Sequence, residues 1–168
     1  MNRVMHRRLL QLVLLWVAPA FALHAQTAEI SMTPTTVWIP AISFVGLPGE
    51  DFAAGFESAA NEYQISVARA NAAGGVDWRI TVRRQDTTWH TGLTVEARRT
   101  GDGGGPGTVT GGTIGVYQTI GTTDAMLMEG RRNKNNIPIQ LRAGGAFASA
   151  GVPAGSYVTT VIYTISDR

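Results

Sequence analysis

Past residue 25 the chain offers few groups able to do chemistry. It has no cysteine, which removes thiol nucleophiles, Cys-ligated zinc and iron–sulfur centres together. Of its three histidines only His90 lies beyond the N-terminal segment. One imidazole builds no two-His metal site. A Ser-His-Asp triad would have to form around it without a Gly-x-Ser-x-Gly elbow to present the serine. His90 follows Trp89 at the end of an alternating stretch, the place of an ordinary loop histidine. The 12 carboxylates are densest at Glu50-Asp51 and at Glu57 and Glu62, where a solvated loop accounts for them, and spacing alone pairs none as acid and base. Asp102 sits within Gly101-Asp102-Gly103, but the further Asp, Asn and Glu of a calcium loop are missing. The Gly run around it also lacks the Gly-Lys-Ser/Thr ending of a phosphate loop. No catalytic residue, metal or cofactor is expected, and the chain reads as a non-enzyme.

Binding groups are better represented. Trp38, Trp78 and Trp89 are the aromatic rings on which a sugar could stack. Trp78 alternates with Ile80 and Val82 and is expected in a core, leaving Trp38 and Trp89 as the candidate ligand platform. Arg83-Arg84, Arg98-Arg99 and Arg131-Arg132 form three basic doublets. Their expected role is to blunt exposed strand edges and faces against aggregation, with an anionic glycan or lipopolysaccharide as the alternative partner.

The first 25 residues set a basic stretch (Arg3, Arg7, Arg8) ahead of an apolar run from Leu9 to Leu23. That order, with Leu23 and Ala25 at −3 and −1, predicts a signal peptide over 1–25, or a cut after Ala22 instead. An uncleaved anchor is the competing reading, which Pro19 and the small-residue ending disfavour. No second apolar stretch of ~20 residues follows, so no helical membrane span is expected after cleavage. The expected location is exported: periplasm, cell surface or medium. The sequence pI near 9.4 belongs largely to the leader. Without its three Arg, 11 basic residues face 12 acidic ones, and a nucleic-acid partner loses its electrostatic basis.

The elements that must position these residues read as strands. Tyr63, Ile65 and Val67 alternate with polar neighbours, as do Trp78, Ile80 and Val82; Leu93, Val95 and Ala97; Ile137, Ile139 and Leu141; and Tyr157 through Ile165. Further strands are expected over 28–33, 36–45, 113–120 and 124–129. Turn signals separate them at Pro48-Gly49, Gly74-Gly75, Gly92, Gly144-Gly145 and Pro153-Ala154-Gly155. The one helical candidate is 50–60, which Gly55 weakens. The stretch 101–115, with eight glycines in 15 residues, is expected to be a mobile loop with a Gly-tolerant edge. A single antiparallel β-sandwich of 7–9 strands over 26–168 follows. Arg79, Arg83, Glu96 and Arg98 on outward strand faces disfavour an outer-membrane barrel.

The closing segment, Val152-Pro153-Ala154-Gly155-Ser156-Tyr157 and the Thr/apolar alternation to Ile165, resembles the terminal strand of spore coat U-like and fimbrial-type exported subunits. Ile137-Pro138-Ile139-Gln140-Leu141-Arg142 looks like the strand before it. The likeness covers some 30 residues. It implies an all-β, immunoglobulin-like sandwich that is one strand short, completed first by a periplasmic chaperone and then by the next subunit of a surface fibre or coat. It therefore implies self-association, with Tyr157, Val161, Tyr163 and Ile165 on one side of the junction. Ala28, Ile30 and Met32 would be the donated strip, or else the first strand of the chain's own sandwich. The function expected is that of an exported structural or assembly protein, with a secreted carbohydrate-binding module as the alternative.

Overall fold

The computed structural model describes residues 28–33, 38, 55–69, 77–145, 152–153 and 155–168. The expected signal peptide, all but Trp38 of the strand expected over 36–45, and the turns at Pro48-Gly49 and Gly74-Gly75 lie outside the described residues. Among the described residues there are ten strands and no helix. The strands are β1 (Ala28–Thr33), β2 (Gly55–Glu57), β3 (Tyr63–Arg69), β4 (Asp77–Thr88), β5 (Leu93–Arg99), β6 (Thr108–Val109), β7 (Gln118–Thr119), β8 (Ala125–Arg131), β9 (Lys134–Gly145) and β10 (Val158–Asp167). The count exceeds the expected 7–9 because β6 and β7 span two residues each, too few for alternation to reveal.

All ladders are antiparallel, in two sheets. One runs β1-β3-β9-β5-β7, with β2 also on β9; the other runs β10-β4-β8-β6. The 12-residue β9 organises the first sheet. β3 pairs with its first half and β2 with its last third on one side, and β5 lies along the other. The core forms between the sheets. Trp78, Ile80, Val82, Leu127, Met128 and Ile165 come from one, and Ala28, Ile65, Val67, Val95, Ala97, Ile137, Ile139 and Leu141 from the other. The period-2 faces read from the sequence are the faces buried, each such side chain contributing about 1.5–3 kcal/mol of burial. Leu93 is buried as well, while Val161 and Tyr163 are half-buried against the core.

Three irregularities adjust the registers, one of them at the start of β10, where Val158 pairs with Thr88 but Thr159 with Asp86. Ile80 pairs with Met128 but Thr81 with Met126, so Leu127 is the extra residue of a bulge and both it and Met128 reach the core. Ile65 pairs with Ile137 but Val67 with Lys134. Asn136 there takes a left-handed φ of 54°, and its N–H donates to Ser66 Oγ at 3.0 Å.

Three expectations are corrected. Within 50–60 the described residues 55–60 carry no helix, and Gly55–Glu57 form β2: Phe56 is buried while Glu57 faces outward. The last third of β9 needs a partner, and Gly55 lets the chain lie close on Arg142. The strand expected over 113–120 shrinks to β7, because Gly112 and Gly115 adopt φ of 72° and 79° and break the extended path. The stretch 101–115 is a bonded edge rather than a loose loop. Gly104 and Asn135 exchange backbone hydrogen bonds at 2.7 and 2.9 Å, Gly107 N–H donates to Asn133 O, and β6 pairs with β8. Glycine is required at Gly103, where φ is 65° and a Cβ would lie 2.3 Å from Asn135 O.

Candidate functional site

The residues expected at an assembly junction fall on one side of the sandwich. There β1, at the end of the first sheet, contacts β10, at the end of the second. β1 pairs with β3 of its own chain, Ala28 opposite Arg69 through Thr33 opposite Gln64. Ala28 is buried, and Ile30 and Met32 are half-buried against the core. The strip thus forms the first strand of its own sandwich, one of the two arrangements left open by the sequence.

β10 pairs with β4 throughout, from Val158 opposite Thr88 to Asp167 opposite Trp78. Its inward side chains include Val161, Tyr163 and Ile165. Its outward ones are Val158, Thr160, Ile162 and Thr164. Thr159 Oγ1 donates to Asp86 Oδ1 at 2.9 Å, and Val158 N–H donates to Thr88 Oγ1 at 3.2 Å, anchoring the start of the strand. Tyr157 lies just before it, its hydroxyl donating to Pro153 O at 2.6 Å and its ring edge-on to His90 at 6.1 Å. Among the described residues, Val158 to Thr164 carry no backbone partner on the side away from β4. No charged residue stands between Val158 and Ser166, and Val158 is 50% exposed.

The ligand-platform residues are seated differently. Trp38 and Trp89 are both half-buried against the core. Trp89 Nε1 donates to Leu93 O at 3.1 Å, and the Arg84 guanidinium lies 5.6 Å from its ring. His90 Nδ1 accepts from Gly92 N–H at 3.1 Å, closing the β4–β5 turn. Neither tryptophan stands clear as a flat exposed ring.

Sequence reading missed two arrangements. On the outward face of the first sheet, Tyr117 lies between the guanidiniums of Arg98 and Arg142, 4.3 and 4.0 Å from its ring centre. Arg142 is paired with Glu96 at 2.5 Å, Arg98 Nε donates to Gln140 at 2.8 Å, and Glu57 lies 3.7 Å from Arg98. Burial of the Tyr117 hydroxyl, then the nearby Glu57, push its pKa up to about 12 against the opposing pull of the two arginines. The glutamates of β2 and β5 thus flank the arginines of β5 and β9, an arrangement that outward parity foretells. Nothing in the linear pattern brings Tyr117 over it.

The second arrangement corrects the role expected of the Arg98-Arg99 doublet, because Arg99 is buried at 6% exposure. It follows Leu93, Val95 and Ala97 on the inward parity of β5. Its guanidinium donates to Gly112 O at 2.6 Å and pairs with Asp102, so it holds both ends of the glycine-rich edge. Burial lowers its pKa. Asp102, the residue with a trace of calcium-loop character, is Arg99's partner. In the other doublets Arg83 faces Asp124 and Arg131 lies 3.6 Å from Asp77, both partly exposed, whereas Arg84, on the parity of Val82, is largely covered and pairs with Asp86. Among the described residues no group of three His, Cys, Asp or Glu side chains could hold a metal ion, and no helix is long and apolar enough to cross a membrane. Compared with protein-family models, curated proteins and solved structures, the chain finds no match.

Proposed function

We propose that this chain is an exported structural protein that assembles with other chains by strand addition at β10. One observation carries the reading: the contrast between the edges of the sandwich. On one side the sheets end in β6 and β7, two residues each. Very short edge strands are a standard protection against unwanted pairing. On the other side the described strands of the second sheet end in β10, whose Val158 to Thr164 have no backbone partner away from β4 among the described residues. β10 has no proline or glycine, and its first nine residues carry no charge. A long, uncharged edge with exposed Val158 and alternating Thr is what strand addition uses: main-chain hydrogen bonds give affinity and alternate side chains give fit. The likeness of the closing segment to exported fibre and coat subunits agrees with this, as does the apolar leader.

The test expresses the full chain in a bacterial host. Cell fractionation and N-terminal sequencing follow export, and size exclusion with light scattering follows assembly. Export with an N-terminus at Gln26 and a mass of two or more chains is expected. An unprocessed intracellular chain, or a monomer at all concentrations up to about 100 µM, overturns the reading.

A further inference from the structure

We infer that the cleft beside the β8–β9 connection binds a phosphate group, held by the guanidiniums of Arg131 and Arg132 and the hydroxyl of Thr108. The site is independent of the assembly reading above: it uses another part of the surface, and neither requires the other.

The cleft has a volume of about 210 Å³ and is lined by Pro106, Thr108, Arg131 and Arg132, all exposed. Its walls are two stretches of backbone locked together. β6 pairs with β8, Thr108 opposite Arg131, and Gly107 N–H donates to Asn133 O at 3.0 Å. A Cβ on Gly107 would come 2.3 Å from Arg131 O, so the close approach that seats Pro106 and Thr108 against the arginines needs glycine there. The connection is also fixed from the core, where buried Trp78 donates its indole N–H to Arg132 O at 2.7 Å. Backbone held from both sides is organised before a ligand arrives, which lowers the cost of binding.

Arg132 departs from what the fold alone asks of that position. Its φ of 60° is a left-handed conformation that glycine adopts freely and a long side chain does not. A residue kept in such a conformation against its own preference points to a function. Among the described residues its guanidinium makes no hydrogen bond or ion pair, and the Thr108 hydroxyl makes no hydrogen bond. Arg131 lies 3.6 Å from Asp77 with both side chains more than half exposed, a surface pair of little strength. The stretch 130–136 holds three cations and no carboxylate. The third, buried Lys134, meets Gly103 O at 3.5 Å rather than an acid. Each planar guanidinium can hold two oxygens of one anion, and the hydroxyl donates to a further oxygen. A phosphate has enough oxygens for all three groups, whereas a carboxylate has only two. The charge is confined to one connection, which suits a single phosphate rather than the row along a nucleic-acid backbone. Pro106 adds an apolar wall for whatever small group carries the phosphate.

The test is titration calorimetry of the full chain, purified as processed by its host, with inorganic phosphate and with glucose 6-phosphate in about 0.1 M chloride. Saturable binding of at least one probe is expected, with a dissociation constant of about 1 mM or tighter. Arg132→Gly removes the guanidinium and suits the left-handed φ, so the urea midpoint should hold or rise while affinity falls at least tenfold. Arg83→Gln, six residues along β4 from Asp77, should leave affinity unchanged. Tighter binding of glucose 6-phosphate than of inorganic phosphate identifies an esterified phosphate as the ligand, and equal or weaker binding identifies the free ion; both support the site. Absence of saturation with either probe overturns the proposal. So does binding that survives Arg132→Gly, or that Arg83→Gln weakens as much.

Discussion

At the scale of single residues, the inward face of β4 carries the sharpest expectations. Ile80 is fully buried between the sheets, so Ile80→Ala should cost about 2–5 kcal/mol through lost burial and an unfilled cavity. Urea unfolding checks this, and a change below ~0.5 kcal/mol would mean the face is wrongly oriented. Trp78 both fills the core and donates its indole N–H to Arg132 O at 2.7 Å, holding a turn in which Arg132 has φ of 60°. Gly130 lies directly over that indole, and a Cβ there would come within 2.2 Å of the ring. Gly130→Ala should destabilise by about 1–3 kcal/mol through overpacking, read as a lower midpoint at unchanged slope. Alternation revealed Trp78, Ile80 and Val82 without help from the structure. The same parity extends to Arg99, so its inward direction was legible. Its partners were not, because Gly112 O reaches it only through the turns at Gly103 and Gly112. Tyr117 titrates above its ordinary value of 10 in the folded chain. The folded state therefore favours the protonated phenol, and stability is kept below pH 10 and lost as pH rises from 10 towards about 12. The buried Tyr163 hydroxyl, also raised by burial, acts in the same direction. Tyr117→Phe should make the alkaline loss of stability shallower, measured as urea midpoint at pH 8 and pH 11.

At the scale of elements, the long strands were legible and the short ones were not. β4, β5, β9 and β10 each have an alternating face longer than one turn of any competing helix pattern, and the core fixes which face is inward. β2 was obscured because its three residues contain a single apolar side chain, Phe56, and small residues around it mimic a weak helix. What makes it a strand is β9, more than 80 residues further on in the chain. The glycine-rich stretch misled for a related reason: composition reported its freedom, but not the backbone of Asn133 and Asn135 waiting to bond it. β1 yields a prediction at this scale. It covers one side of β3 and places Ala28 in the core. Deleting residues 28–33 should therefore lower stability and expose the β3 edge, seen as a reduced urea midpoint and increased aggregation. A truncation that leaves the midpoint unchanged would contradict the intramolecular pairing.

At the scale of the whole molecule, the two-sheet sandwich could be read from strand number and the lack of alternating helices, whereas the identity of the edges could not. Edge position depends on strand order, and here order departs from sequence: β3 neighbours β9, and β10 neighbours β4. Ile162→Lys places a charge on the outward strip of β10. With assembly by strand addition at β10, this should weaken assembly by tenfold or more, about 1.4 kcal/mol, with little change in monomer unfolding. Concentration-dependent light scattering together with urea denaturation separates the two effects.

The pairing of β4 with β10 also bears on how the chain acquires its structure. β4 begins at Asp77 and its outer neighbour only at Val158, so the ladder closes across some 80 residues. Topologies dominated by such distant pairings fold in milliseconds to seconds, far slower than helical bundles. A chain emerging N-terminus first from a ribosome or a narrow pore holds β4 without its β10 partner until Val158–Asp167 has emerged. Completion of the second sheet is thereby deferred until β10 has passed, and a chain stopped before Val158 should stay aggregation-prone and protease-sensitive however long it is given.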